Sequence, residues 1–230
     1  MLIRDILEES ARKHADIMAV KWLAKKEIRE RSYRHLAENI AMVRKGLLAE
    51  GFREKHIALI GASSVEWIES YLGIITGRNV AVPLDANLPG EDLVDLIDRS
   101  DSEGLFLSPK HTALLDAIAA GCPKLKKIWI LQEQEPDVPD ARIASLPSLM
   151  ALSKGTDADS DSPAPGDTAT IIFTSGTTGK SKGVMLTQDN LASNVAAVDY
   201  AREPGTVMLS VLPIHHAFCL VMDWLKGFSL

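Results

Sequence analysis

The sequence predicts an α/β fold of layered, parallel-rich sheets flanked by helices, and three observations carry that expectation. Short β-branched runs alternate with segments whose apolar residues recur every three to four positions, the order expected when each strand feeds a crossover helix. Glycine, proline and serine fall between these runs as turn and cap signals. The 230 residues are 46% hydrophobic and 24% charged, which supplies apolar material for a sizeable core.

Taken in order, Leu2 to His14 is amphipathic at helical spacing, with Leu2, Ile3, Ile6, Leu7 and Ala11 on one face. Ile17 to Leu23 reads as a strand. Ser32 can cap a helix with the stripe Leu36, Ile40, Val43 and Leu47, stopping at Gly51. His56 to Ile60 is a short buried strand. Ser63 begins the next helix, with Glu66 completing a capping box and Gly77 at its end. Val80 to Val82 is a strand, and Pro89 opens a helix over Glu91 to Arg99. Gly104 to Leu107 and Lys127 to Leu131 are strands on either side of a helix around Thr112 to Ala120. No internal repeat is visible.

After Leu131 the composition changes. Glu133 to Asp140 is acidic and broken by prolines, and Ser153 to Asp167 holds almost no large apolar side chain, so 132–167 reads as an exposed connector. A calcium loop over Asp157, Asp159 and Asp161 would need a glycine and terminal glutamate that are missing. Order resumes with strands over Thr168 to Phe173, Val184 to Leu186 and Thr206 to Leu212, and a helix over Asp189 to Ala201. This divides the chain into a first α/β portion (1–131), the connector, and the start of a second α/β portion (168–230).

Composition excludes several functions. With Lys plus Arg at 25 and Asp plus Glu at 31 the net charge is −6, which offers no electrostatic footprint for nucleic acid. Two cysteines, Cys122 and Cys219, are too few for a disulfide framework, pointing to a reducing, cytoplasmic compartment. Asp5, Glu8 and Glu9 break any secretory leader. Pro204 to Met222 carries no Asp, Glu, Lys or Arg, but Pro213, His215 and His216 interrupt it, so it reads as strand, turn and core helix rather than a transmembrane segment.

Chemistry concentrates in Thr168 to Val184, TATIIFTSGTTGKSKGV. A β-rich run opens into a loop with four hydroxyl residues (Ser175, Thr177, Thr178, Ser181), two glycines (Gly176, Gly179) and two lysines (Lys180, Lys182). Glycines let backbone N–H groups turn toward one anion, hydroxyls add neutral donors, and lysines supply positive field, which suits a polyphosphate. Two rivals share the residues. Gly179-Lys180-Ser181 imitates the end of a P-loop, but Thr174 stands where its first glycine belongs, and strand rather than helix follows. The loop could also be a polar hairpin without a ligand.

Phe173-Thr174-Ser175-Gly176-Thr177-Thr178-Gly179 with Lys182-Gly183-Val184 resembles the signature loop of the adenylate-forming superfamily, the acyl-CoA synthetases, peptide-synthetase adenylation domains and luciferases. Val82-Pro83-Leu84-Asp85, with Pro89 and Leu93, is similar to that family's strand-to-helix passage, with Ala86 where proline is usual. Leu212-Pro213-Ile214-His215-His216 is similar to its LPxxH segment. The resemblance implies an incomplete N-terminal domain in which Thr174, Ser175, Gly176, Thr177, Thr178, Gly179 and Lys182 hold ATP phosphates. It implies that His216 lies beside the nucleotide and the acyl pocket, with Cys219 at the pocket entrance and His215 structural or pocket-lining. Ser181 and Cys219 depart from the family's usual proline and glycine.

The same resemblance implies that the magnesium-site glutamate, the catalytic lysine and the C-terminal domain lie beyond Leu230, so the fragment alone is expected to be inactive, with no certain metal ligand. The implied reactants are ATP with Mg2+, a carboxylic acid, and the thiol of CoA or a phosphopantetheinyl carrier protein. Amino-acid-activating relatives place an aspartate in the segment matching Pro213 to Cys219. This chain has none there, which favours a fatty or aryl acid. A non-catalytic nucleotide- or acyl-binding module remains the further alternative.

Overall fold

The computed structural model describes residues 2–24, 26–157, 161–174, 181–198 and 206–229. Helix α1 (Ile3–Lys13) precedes an antiparallel hairpin of β1 (Met18–Ala24) and β2 (Glu27–Ser32). Helix α2 (Tyr33–Ala49) starts where Ser32 Oγ accepts the His35 N–H and stops at Gly51, whose φ of +82° a side chain would resist. Then come β3 (His56–Ile60), α3 (Val65–Ile75), β4 (Val80–Leu84), α4 (Gly90–Arg99) and β5 (Ser102–Leu107). A 3₁₀ turn, Pro109–Leu114, leads into α5 (Leu115–Gly121), followed by β6 (Lys127–Ile130), β7 (Ile143–Ser145) and α6 (Leu146–Ala151). The chain ends with β8 (Thr168–Thr174), β9 (Lys182–Thr187), α7 (Gln188–Ala197) and a π-helical stretch, Cys219–Leu225, continuing as α8 (Lys226–Phe228).

Strands β3 to β9 form one seven-stranded sheet in the order β7-β6-β5-β3-β4-β8-β9, parallel throughout except for β9. Period-2 alternation sends successive side chains to opposite layers. Ile57, Leu59, Phe106 and Trp129 join the core under α1, α2, α3, α6 and α7, whereas Ala58, Ile60, Leu105 and Ile128 join the core under α4 and α5. Because both faces are covered, the central strands are apolar on both sides, which is why His56 to Ile60 reads as a continuous run.

The hairpin is tied to this body by a buried carboxylate. Glu69 of α3 accepts from Arg31 Nη1 at 2.8 Å and from Asn39 Nδ2 at 3.0 Å, while the Arg31 guanidinium lies 5.6 Å from the Trp22 ring centroid. Burial pushes the Glu69 carboxyl up to about 7, although Arg31 and Asn39 pull it down. A carboxyl raised on folding stabilises the protein fully below its unfolded value near 4.5, and that contribution is lost as pH rises through about 7. Chemical unfolding at pH 5 and pH 8 is therefore expected to show an alkaline loss of about 2–3 kcal/mol that is absent in Glu69→Gln. An identical pH slope in both proteins would place the titration elsewhere.

Several elements differ from the sequence reading. The cap of α3 is Ser64, whose Oγ accepts the Trp67 N–H at 3.1 Å, instead of Ser63; Glu66 then sits in the first turn, facing the positive helix end, and closes no capping box. Glu27–Ser32 forms a strand with no apolar period because β1 supplies its partner. The connector 132–167 contains β7 and α6, and Asp161 is buried against Arg53 Nε at 2.7 Å. Strands β8 and β9 belong to the same seven-stranded sheet as β3 to β7. Helix α7 is described only to Ala197. Residues 206–212, expected as a strand, are in no strand among the described residues, and Val207, Leu209 and Val211 are exposed.

Candidate functional site

Parallel strands end together, so the residues following β4 and β8 share one edge of the sheet, the edge where α/β proteins bind ligands. Strand β8 is held beside β4 by the pairing of Ala81 with Thr170 and by Thr170 Oγ1 donating to the Ala81 carbonyl at 2.9 Å. Asp85 directly follows β4, and Thr174 is the last residue of β8. Across the ladder Thr174 pairs with Lys182, and Thr174 Oγ1 donates to the Lys182 carbonyl at 3.5 Å. The signature loop therefore leaves and re-enters the sheet at this edge. Ser175, Gly176, Thr177, Thr178 and Gly179 lie outside the described residues, as does Lys180.

Asp85 shapes the edge. Its Oδ1 accepts from Asn87 N at 2.9 Å and Asn87 Nδ2 at 3.0 Å, and His111 Nε2 meets the Ala86 carbonyl at 3.0 Å, so the turn after β4 is held from both sides. Its other oxygen, Oδ2, lies 3.7 Å from His215 Nε2. Burial holds the His215 imidazole below the usual histidine value, with Asp85 opposing and His216 adding to the fall, so at neutral pH the ring faces Asp85 uncharged. His216 is exposed next to it, ring centroids 4.3 Å apart, with its N–H donating to the Pro213 carbonyl at 3.1 Å.

The structure thus brings three stretches separated in sequence to one place: Val82–Asp85, the stems Thr174 and Lys182, and Pro213–His216. Lys182 is exposed, and its ammonium makes no ion pair among the described residues. Cys219 is set apart. It is buried, with Sγ 3.5 Å from the Leu212 carbonyl and 3.6 Å from both Ser210 Oγ and Asp223 Oδ2. Burial pushes its thiol up, the wrong direction for a nucleophile. Asp223 is engaged by Ser210 Oγ at 2.8 Å. Among the described residues no three His, Cys, Asp or Glu side chains converge to hold a metal ion, and no helix is long and apolar enough to cross a membrane.

Two residues at this edge are not marked by the sequence alone. Asp85 shows only its position after a strand end. Arg99, whose Nη2 donates to the Ser181 carbonyl at 2.7 Å, has no local signal.

The edge bears no resemblance to a P-loop, in which strand passes to helix: β8 returns as the antiparallel strand β9. Comparison with known proteins agrees. The family described as AMP-binding enzyme matches residues 7–229. Long-chain-fatty-acid–CoA ligase 5 of Mus musculus is 30% identical over 205 residues, covering 81% of this chain and 30% of that protein. ATP-bound MatB from Rhodopseudomonas palustris is 27% identical with a TM-score of 0.76, covering 100% of this chain and 44% of that one. An anthranilate CoA ligase in complex with anthranoyl-AMP shares the fold, with a TM-score of 0.82 at 19% identity, over 100% of this chain and 43% of that one. The chain spans about 30% of the length of the curated relatives it matches.

Proposed function

The chain belongs to the AMP-binding enzyme family, and from that premise we propose that it supplies the phosphate-gripping part of an ATP-dependent carboxylic-acid ligase. The carrying observation is the meeting of Asp85, Thr174 with Lys182, and His215 with His216 at one strand-end edge. In the proposed first step a carboxylate oxygen attacks the α-phosphorus of ATP, and the bond to the bridging oxygen breaks, leaving acyl-adenylate and pyrophosphate. A thiol then attacks the acyl carbon and AMP departs.

Thr174, Ser175, Gly176, Thr177, Thr178 and Gly179 donate N–H and hydroxyl groups to the β- and γ-phosphates, and Lys182 supplies a full positive charge where the departing pyrophosphate gathers negative charge. His216 presents its ring beside the nucleotide and the acyl group, and Cys219 stands at the entrance of the acyl pocket. Magnesium would arrive with the ATP phosphates and offset their charge; the described residues of this chain offer no ligand cluster for it.

The acid is fatty or aryl rather than an amino acid. A substrate ammonium would need a free carboxylate, but segment 213–219 has none, and among the described residues Asp85 already accepts from Asn87 and Asp223 from Ser210. CoA is the thiol favoured by the names of the relatives, with a carrier-protein phosphopantetheine as the alternative acceptor.

The test is pyrophosphate exchange by the full-length polypeptide that carries this chain, against fatty, aryl and α-amino acids. Exchange supported by a fatty or aryl acid is expected, with kcat/KM for amino acids at least about a hundredfold lower. Amino-acid-dependent exchange would overturn the substrate class. ATP hydrolysis that ignores every acid would overturn the ligase itself.

A further inference from the structure

Resting on the phosphate-grip reading, we propose that Arg99 is a positioning residue that fixes both stems of the signature loop. Arg99 closes α4, on the opposite layer from α2 and α3. Its guanidinium makes three separate contacts. Nη2 donates to the Ser181 carbonyl at 2.7 Å, the ring of Phe173 lies 5.9 Å from its central carbon, and Nη1 donates to Asp95 Oδ2 at 2.9 Å one turn back along the helix.

Two of these contacts fall on opposite sides of the loop. Phe173 is the residue before Thr174 on β8, and Ser181 is the residue before Lys182 on β9. The last described rung of the ladder is Thr174–Lys182, so the Ser181 carbonyl lies just past it and has no strand partner among the described residues. Arg99 satisfies that carbonyl and thereby sets where the chain enters Lys182. A planar fork is suited to this: one arm is anchored on Asp95, the other reaches the carbonyl, and the face lies against an aromatic ring. A lysine, with a single point of charge, cannot make all three contacts. The arrangement spans 82 residues of sequence.

A surface cation that merely adds stability would leave nucleotide affinity alone. A positioning residue would weaken ATP binding selectively. The experiment uses the full-length polypeptide carrying the chain and compares wild type, Arg99→Ala, Arg99→Lys and the remote control Arg12→Ala, an exposed cation on α1. MgATP and the carboxylic acid are titrated separately by calorimetry, melting is followed for each variant, and tryptic cutting after Lys182 is timed.

Expected is about a tenfold loss of MgATP affinity in Arg99→Ala, a similar loss in Arg99→Lys, no change in Arg12→Ala, and acid affinity within about twofold throughout. Cutting after Lys182 should quicken in both Arg99 variants. An Arg99→Ala protein with wild-type MgATP affinity overturns the proposal, as does a parallel fall in ATP affinity, acid affinity and melting temperature. A wild type that binds no MgATP defeats the phosphate-grip reading instead, and an unaltered cutting rate in Arg99→Ala would then separately dismiss the clamp.

Discussion

Gly46→Val is expected to destabilise the protein by at least about 3 kcal/mol, through overlap with backbone rather than with a side chain that could swing aside. Gly46 sits in the last turns of α2 and faces α6. A Cβ there would fall 2.3 Å from the Leu149 carbonyl oxygen and 3.0 Å from its carbon. Helix α6 cannot retreat cheaply, because Leu146 and Leu149 are buried in the same core as Val43, Leu47 and Trp129. The two helices meet at backbone distance, so one helix or the other must move. Valine adds the χ1 restriction of a branched residue in a helix.

Two glycine controls separate this cause from others. Gly51→Ala meets no atom within 4 Å but must adopt a φ of +82°, and should cost about 1 kcal/mol. Gly166→Ala meets nothing and carries no such conformation, so it should stay within about 0.5 kcal/mol. Denaturant melts would read all three, and the Gly46 variant should lose about 6–12 °C in thermal midpoint. A Gly46→Val midpoint close to that of Gly166→Ala would show that α6 yields freely.

The same glycine shows where sequence reading stops. Within α2 it looks like a helix-weakening residue, and only the arrival of α6 from a hundred residues later explains it. What was legible had local causes: Ser32 and Gly51 as the ends of α2, the continuous apolar run of β3, and Pro89 before α4. What was not legible needed a distant partner. Glu27–Ser32 is charged along most of its length and is a strand only because β1 lies alongside; 206–212 has the composition of a strand but joins no strand ladder among the described residues.

For the site the division is similar. The proposed phosphate loop stands out in the sequence because its hydroxyls, glycines and lysines are consecutive, Thr174 to Lys182. The contact of Asp85 with His215 joins positions 130 apart, and Arg99 reaches Ser181 across 82. Side chains that orient others leave no periodic trace, whereas those that line a short loop do.

Lys182→Ala should cost about 10²–10³-fold in kcat/KM for pyrophosphate exchange by the full-length polypeptide, the effect of withdrawing one preorganised charge from a developing anion. The proposed role would be exercised from the first residue of β9, which pairs with Thr174 at the sheet edge. Its side chain is exposed and makes no ion pair among the described residues, so removing it breaks none of those and melting should be unchanged. Lys182→Arg keeps the charge and should recover a large part of the rate, though the wider guanidinium would alter the geometry. Lys180 provides the decisive comparison. A P-loop would depend on the lysine after Gly179, so Lys180→Ala would then be the crippling change and Lys182→Ala the mild one. With β8 returning antiparallel as β9 instead of entering a helix, the opposite ranking is expected. Equal, slight effects from both substitutions would mean that the loop grips no polyphosphate, and the ligase reading would then lose the residues on which it stands.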